Sequence, residues 1–263
     1  MRICRVRAGD EITYAAIDGL SDDLAITDET VVAFIDGHPF GEWSPQGTVA
    51  RARDVEFLAP VIPSKIIGIG RNYRDHASEM GGEVPGEPLI FLKPSTSVIG
   101  PGDAIQLPWQ SEEVHHEAEL AIVIGRMCRD VPRDRAAEVV FGFTCANDVS
   151  ARDLQRADGQ WSRAKGFDTF CPLGPWIDTD FDWTDAEITC VVNGQVRQSA
   201  NIGDVVFGVP ELIVAVTSVM TLLPGDVILT GTPAGVGPLA QGDTVTVTIQ
   251  GLGTLTNTVV DRG

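Results

Sequence analysis

Glu117-Ala118-Glu119-Leu120-Ala121-Ile122-Val123-Ile124-Gly125 is the run whose reading decides the fold. From Leu120 to Ile124 it is wholly apolar, so it reads as a buried β-strand. Side chains alternate along a strand, which puts Glu117 and Glu119 on one face. Two carboxylates side by side on a buried face repel and are poorly hydrated, and something must compensate them. A divalent cation held by hard oxygen ligands is the simplest candidate. A sheet edge at which both glutamates pair with Arg or Lys is the alternative.

Working outward from 117–124, further strands are read at 65–70, 89–93, 141–147, 188–193, 226–230, 244–250 and 255–260, with Asn193-Gly194 marking a hairpin. Residues 1–57 alternate short β-type runs, such as Glu11–Ile17 and Thr30–Ile35, with turns such as Asp36-Gly37. The two prolines of Leu58–Ser64 mark a linker, so residues 1–60 are expected to form a small β-rich N-terminal domain and 61–263 a catalytic domain. Helices are expected at 73–80 and from Val209 through Leu222, the latter with Pro210 in its first turn and Pro224-Gly225 ending it. Strands outnumber helices without the regular alternation of βαβ units, which gives an α+β class.

Composition bounds the function. The 263 residues are 43% hydrophobic and 21% charged, as in a globular domain, and the formal charge of −18 argues against nucleic-acid binding. An anionic substrate would need a local cationic pocket inside a negative overall field. Five cysteines (Cys4, Cys128, Cys145, Cys171, Cys190) without a C-x-x-C spacing fit reduced structural thiols. The start, Met1 to Arg7, lacks the apolar core of a signal peptide, and no apolar run approaches a membrane span, so a cytoplasmic protein is expected.

Chemistry concentrates in a few places. Asp148 ends the apolar run Phe141–Asn147 and could join Glu117 and Glu119 in an oxygen-rich site for Mg²⁺ or Mn²⁺. His115 and His116 raise a rival, a mixed histidine–carboxylate centre, in which the period of two would place His115 on the glutamates' face. His76 and Glu79 share a face if 73–80 is helical, which makes either a competent general base or a surface contact. Lys165, flanked by Trp161 and Phe167, reads as partly buried near an anion or as a snorkelling side chain. Gly68-Ile69-Gly70 lacks the third glycine of a dinucleotide fingerprint, and the run Leu229–Gly237 lacks the ending of a Walker loop, so no nucleotide cofactor is indicated.

Five runs in order then resemble the fumarylacetoacetate hydrolase family. They are Gly68-Ile69-Gly70-Arg71-Asn72-Tyr73-Arg74-Asp75-His76, His115-His116-Glu117-Ala118-Glu119-Leu120, Asn147-Asp148-Val149-Ser150-Ala151-Arg152-Asp153-Leu154-Gln155, Arg163-Ala164-Lys165-Gly166-Phe167-Asp168-Thr169 and Leu229 to Gly237. The resemblance implies a strand-rich β-roll catalytic domain behind a small N-terminal domain, usually as a homodimer. It implies Mg²⁺ or Mn²⁺ on Glu117, Glu119 and Asp148, His76 and Glu79 as the water-activating pair, and Lys165 beside a developing enolate. It places Arg71, Arg152, Gln155 and Thr232 at or beside substrate-shaping positions. Gly68 to Tyr73 offers no fourth metal carboxylate, so the chain looks more like the shorter bacterial members and acylpyruvases. The implied activity is hydrolysis of a C–C bond in an acylpyruvate-type 2-oxo acid. Isomerisation of 2-hydroxyhepta-2,4-diene-1,7-dioate and decarboxylation of oxaloacetate are the alternatives on the same site.

Overall fold

The structure, a computed structural model, describes residues 1–262, and Gly263, the last residue of the expected catalytic domain, lies outside them. Ala118–Ile124 is a strand with all seven residues buried. It runs antiparallel to Val140–Asn147 on one side and to Val227–Leu229 on the other. The sheet continues past Val227–Leu229 through Ile66–Gly70 to Leu89–Lys93, and past Val140–Asn147 through Cys171–Asp178 to Arg2–Ala8 and the N-terminal strands Glu11–Asp18, Val31–Gly37 and Trp43–Arg51. Residues 1–60 therefore extend the central sheet, joined by the register Arg2↔Asp178 and Ile3↔Ile177.

A second, five-stranded sheet runs Gln195–Asn201, Glu187–Val192, Thr244–Ile249, Gly253–Asp261, Ala104–Leu107. The two sheets bury a common core in which Leu120, Ile122 and Ile124 pack with Ile188, Cys190, Val247 and Ile249. Ala121 and Val123, of opposite parity, join Val61, Ile66 and Leu173 in a cluster on the other face. The alternation expected of a strand is thus realised with apolar neighbours on both sides. Four helices accompany the sheets among the described residues: α1 (Arg74–Glu79), α2 (Arg152–Asp158), α3 (Ser162–Lys165) and α4 (Val209–Val219). None is long and apolar enough to cross a membrane. The strand-rich α+β class holds.

Three details depart from the sequence reading. The long strand begins at Ala118, and Val114–His116 belongs to a small separate sheet with Ser150–Ala151 and Gly237–Pro238. Between them Glu117 takes its backbone bonds from elsewhere: its N–H donates to Asn147 Oδ1 (2.9 Å), and its carbonyl accepts from the Asp148 N–H (2.8 Å). Helix α4 ends at Val219, because Leu222 exchanges both backbone bonds with Cys128. The strand Cys171–Asp178 is buried throughout, yet Pro172 and Pro175 hide it from a pattern reading. Its pairing with Val140–Asn147 shifts register between Phe143 and Cys145, as expected where prolines offer no N–H.

Candidate active site

The break at Glu117 and the end of the neighbouring strand at Asn147 bring three carboxylates together. Ligand atoms of Glu117, Glu119 and Asp148 lie within 4.8 Å of one another, all buried. Three cations reach into the same place. Lys165, at the end of α3, donates from Nζ to Glu117 Oε2 and Asp148 Oδ2, each at 2.6 Å. Arg152, opening α2, pairs with Glu117 Oε1 and donates to Gln155 Oε1 at 2.8 Å. Lys93, which the sequence reading missed, donates to Asp148 Oδ1 at 2.6 Å and is 1% exposed. A cue lay in Leu89-Ile90-Phe91-Leu92-Lys93, where a lysine closes an apolar strand.

Electrostatics separate the two glutamates. Burial alone would raise Glu117, but Arg152 and then Lys165 outweigh it and hold the carboxyl well below the usual range. Glu119 is pushed well above that range by burial, with Asp148 and Glu117 adding repulsion. It makes no ion pair among the described residues, and its one protein donor is the Gly231 N–H, 2.6 Å from Oε2. Burial works against the charge of Lys165, but Asp148 and Glu117 raise it above its ordinary value, so it stays an ammonium. Its Nζ also lies 5.1 Å from the Phe91 ring centroid.

This donor set fits a hard divalent cation. It is all oxygen, without thiol or imidazole, and Glu119 is a buried carboxylate that no side chain pairs among the described residues. The rival histidine-containing centre finds no support in the geometry. His115 faces Glu113 at 3.3 Å, and His116 is buried against Gln198 Oε1 at 3.1 Å and Cys190 Sγ at 3.3 Å. The period-of-two argument for His115 fails because the chain leaves strand geometry at Glu117.

Helix α1 sets the base. His76 and Glu79 fall on one face, with Nδ1 3.2 Å from Glu79 Oε2, and the Gly235 N–H donates to Glu79 Oε1 at 3.0 Å. Burial lowers His76 below its ordinary value, against the opposing pull of Glu117 and Glu79. A neutral ring whose Nδ1–H points to Glu79 leaves Nε2 as the free lone pair.

A cleft of about 200 Å³ is lined by Arg71, His76, Glu117, Glu119, Arg152, Gln155, Lys165 and Thr232, and by the apolar walls Ile69, Met80, Phe91 and Trp161. Glu79 and Asp148, the remaining two expected residues, stand behind His76 and Lys165. Thr232 is tied down by Gln198, another residue missed. The Gln198 amide donates to Thr232 Oγ1 (2.7 Å) and to the Pro233 carbonyl (2.8 Å), and accepts from the Ala118 N–H (3.0 Å). The Thr232 hydroxyl itself donates to the Ala118 carbonyl at 2.9 Å, so any bond to a substrate is one it accepts.

Known proteins agree with this architecture. Residues 65–260 match the family model described as fumarylacetoacetate (FAA) hydrolase C-terminal, and residues 1–60 match one described as Rv2993c-like, N-terminal. Protein Rv2993c of Mycobacterium tuberculosis is 51% identical over 266 residues, covering 100% of this chain and 99% of that one. The crystal structure of 5-carboxymethyl-2-hydroxymuconate delta-isomerase from Mycobacterium smegmatis superposes with a TM-score of 0.91 at 52% identity, covering 100% of both chains. Oxaloacetate tautomerase Fahd2a, mitochondrial, of Rattus norvegicus is 47% identical over 78% of this chain and 70% of its own. The chain is a member of the fumarylacetoacetate hydrolase family of enzymes.

Proposed function

We propose that the protein catalyses proton transfer on the enol or enolate of a 2-oxo acid, as a divalent-metal-dependent tautomerase or double-bond isomerase. The observation that carries this reading is the buried, neutral His76, oriented by Glu79 at the wall of a carboxylate–lysine cleft. Glu117, Glu119 and Asp148 would hold Mg²⁺ or Mn²⁺, which when bound supplies Lewis-acid stabilisation of an enolate. His76 takes a proton at Nε2 and returns it at another atom of the substrate, while Glu79 stabilises the transient imidazolium. Lys165, kept charged by Glu117 and Asp148, faces the negative charge that develops. Phe91 and Trp161 wall the cleft, limiting water around that charge. Two of the relatives described above, a delta-isomerase and a tautomerase by name, support proton transfer as the reaction type.

Hydrolysis of an acylpyruvate is the second reading. The Glu79 side chain is 34% exposed, so water reaches the pair that would activate it. A parallel assay separates the two, using enol-oxaloacetate, 2-hydroxyhepta-2,4-diene-1,7-dioate, acetylpyruvate and fumarylpyruvate with Mg²⁺ or Mn²⁺ and an EDTA control. Accelerated ketonisation or isomerisation that EDTA abolishes is expected. Cleavage of the acylpyruvates without any such acceleration would establish hydrolysis instead, and activity indifferent to EDTA would remove the metal from both readings. The proposal includes a homodimer and a small-molecule partner alone, the first checked by sedimentation.

A further inference from the structure

We propose that Gln198 is a positioning residue: it grips the peptide of Ala118, which lies between Glu117 and Glu119, and so fixes the spacing of those two carboxylates. This role presupposes the proposed occupancy of the carboxylate site by a divalent cation.

Such a grip is required because a sheet ladder runs out beside the site. On the side of Ala118–Ile124 that faces Val227–Leu229, strand pairing covers Ala121 to Val123, and the Thr230 N–H still reaches the Leu120 carbonyl at 3.0 Å. At the next residue the chain turns away. Gly231 takes φ +99°, and its N–H goes to Glu119 Oε2. Ala118, two residues before Leu120, points its N–H and carbonyl to this same side, where no strand is left to meet them. It is 0% exposed, so leaving either group unmatched would be costly. Two side chains stand in for the missing strand. Thr232 Oγ1 donates to the Ala118 carbonyl at 2.9 Å, and Gln198 Oε1 accepts the Ala118 N–H at 3.0 Å.

Gln198 comes from the edge strand Gln195–Asn201 of the second sheet, where Arg197 and Ser199 on either side of it are exposed and it is buried. Its amide uses every hydrogen-bonding capacity it has. Oε1 also accepts from His116 Nδ1 at 3.1 Å, while Nε2 donates to Thr232 Oγ1 at 2.7 Å and to the Pro233 carbonyl at 2.8 Å. The Ala118 N–H can only donate and the Pro233 carbonyl can only accept, so the amide has one orientation. One side chain thus holds Ala118 directly and also holds Thr232, which grips Ala118 from the carbonyl side. It anchors the loop Gly231–Gly235 as well, whose N–H groups meet Glu119 at one end and Glu79 at the other. That loop lies against the Gln198 strand, since a Cβ on Gly235 would come within 2.0 Å of the Arg197 carbonyl oxygen. Glu117 is secured separately, through Asn147 and Asp148. Loss of the Gln198 amide therefore frees Glu119 relative to Glu117.

Mn²⁺ binding without substrate tests the proposal on the full chain. Gln198→Met keeps the side chain's length and removes its hydrogen bonds. Gln198→Asn keeps the amide on a stem one methylene shorter, and reads the same property should the first variant fail to fold. Electron paramagnetic resonance of free Mn²⁺ gives the dissociation constant, and the frozen-solution line shape of bound Mn²⁺ reports ligand geometry. Each variant should bind Mn²⁺ at least about 10-fold more weakly than wild type, the scale for residues that orient metal ligands, with an altered line shape. A side chain that only supports the fold would lower Tm yet leave both readings as in wild type well below Tm, and that result overturns the assignment. Wild type that binds no Mn²⁺ would refute the metal reading itself and this role with it.

Discussion

Replacing Lys93 by methionine removes one positive charge from a fully enclosed position while nearly preserving side-chain volume. The Lys93 and Asp148 side chains are 0% and 1% exposed, and Nζ sits 2.6 Å from Oδ1. Breaking a buried ion pair by deleting one partner costs about 3–5 kcal/mol. Asp148 keeps Lys165 at 2.6 Å, so the lower end, about 3 kcal/mol, applies. At about 2–4 °C per kcal/mol for a chain of this size, Tm in EDTA should fall by about 6–12 °C. The same change leaves three carboxylates facing two cations, which raises the demand for a divalent ion. Since a ligand at 100 times its Kd stabilises the native state by about 2.7 kcal/mol, Mg²⁺ should recover more Tm in Lys93→Met than in wild type at equal concentration. Differential scanning calorimetry across a Mg²⁺ series reads both effects. A Tm in EDTA within about 2 °C of wild type would show that Lys93 compensates nothing. A smaller Mg²⁺ response than wild type would refute the charge count.

Two further predictions concern pH. Burial places His76 below its ordinary value of 6.5, so the acid limb of kcat/KM should lie below pH 6.5, and Glu79→Gln should move it lower by removing a carboxylate that raises the imidazole. An acid limb at or above 6.5 in wild type, or one that rises in the variant, would contradict this assignment. For stability, burial lowers His76 and His116, and burial followed by Arg152 brings His115 down to about 4. Each therefore binds its proton more readily in the unfolded chain, and their contribution is full above pH 6.5 and lost as pH falls from there toward 4. In metal-free protein Glu119, raised by burial, works in the opposite sense, so the check is made by difference: the urea midpoint lost between pH 7 and pH 5 should be smaller in His115→Gln than in wild type, and an equal or larger loss in the variant would count against the sign.

How much of this was legible in the sequence depended on how local each signal is. The apolar runs at 89–93 and 140–147 gave their strands within a residue, because each is a short, nearly continuous apolar run of strand length. Helix α1 was legible as the helix-compatible stretch 73–80 even though it is only six residues long, and the His76–Glu79 contact followed from it. Glu117 falls in the carboxylate cluster for a reason the period of two does not contain: it stands beside Glu119 across a break in the strand, where its N–H donates to the Asn147 side chain. That bond is set 30 residues away and leaves no periodic trace. The partner of Lys93, and the role of Gln198 altogether, were hidden for the same reason. Each acts on a segment more than 30 residues distant, and only the sheet order brings them to the site.

The charge arrangement bears on how an acidic protein would take the anionic substrate of the proposed reaction. Glu117, Glu119 and Asp148 are matched in number by Lys93, Lys165 and Arg152, and Arg156 is matched by Glu113. The cleft therefore offers little net attraction from its own paired side chains, inside a chain of formal charge −18. Selection of an anion then falls to whatever is added to this balanced set. On the proposed metal-dependent reading, Glu119, which no side chain pairs among the described residues, would give a divalent cation its place, and that cation would supply the excess positive charge which the paired lysines do not. On this account the paired cations serve chiefly to hold the carboxylates close together, and recognition of a substrate's near end would follow occupancy of the carboxylate site.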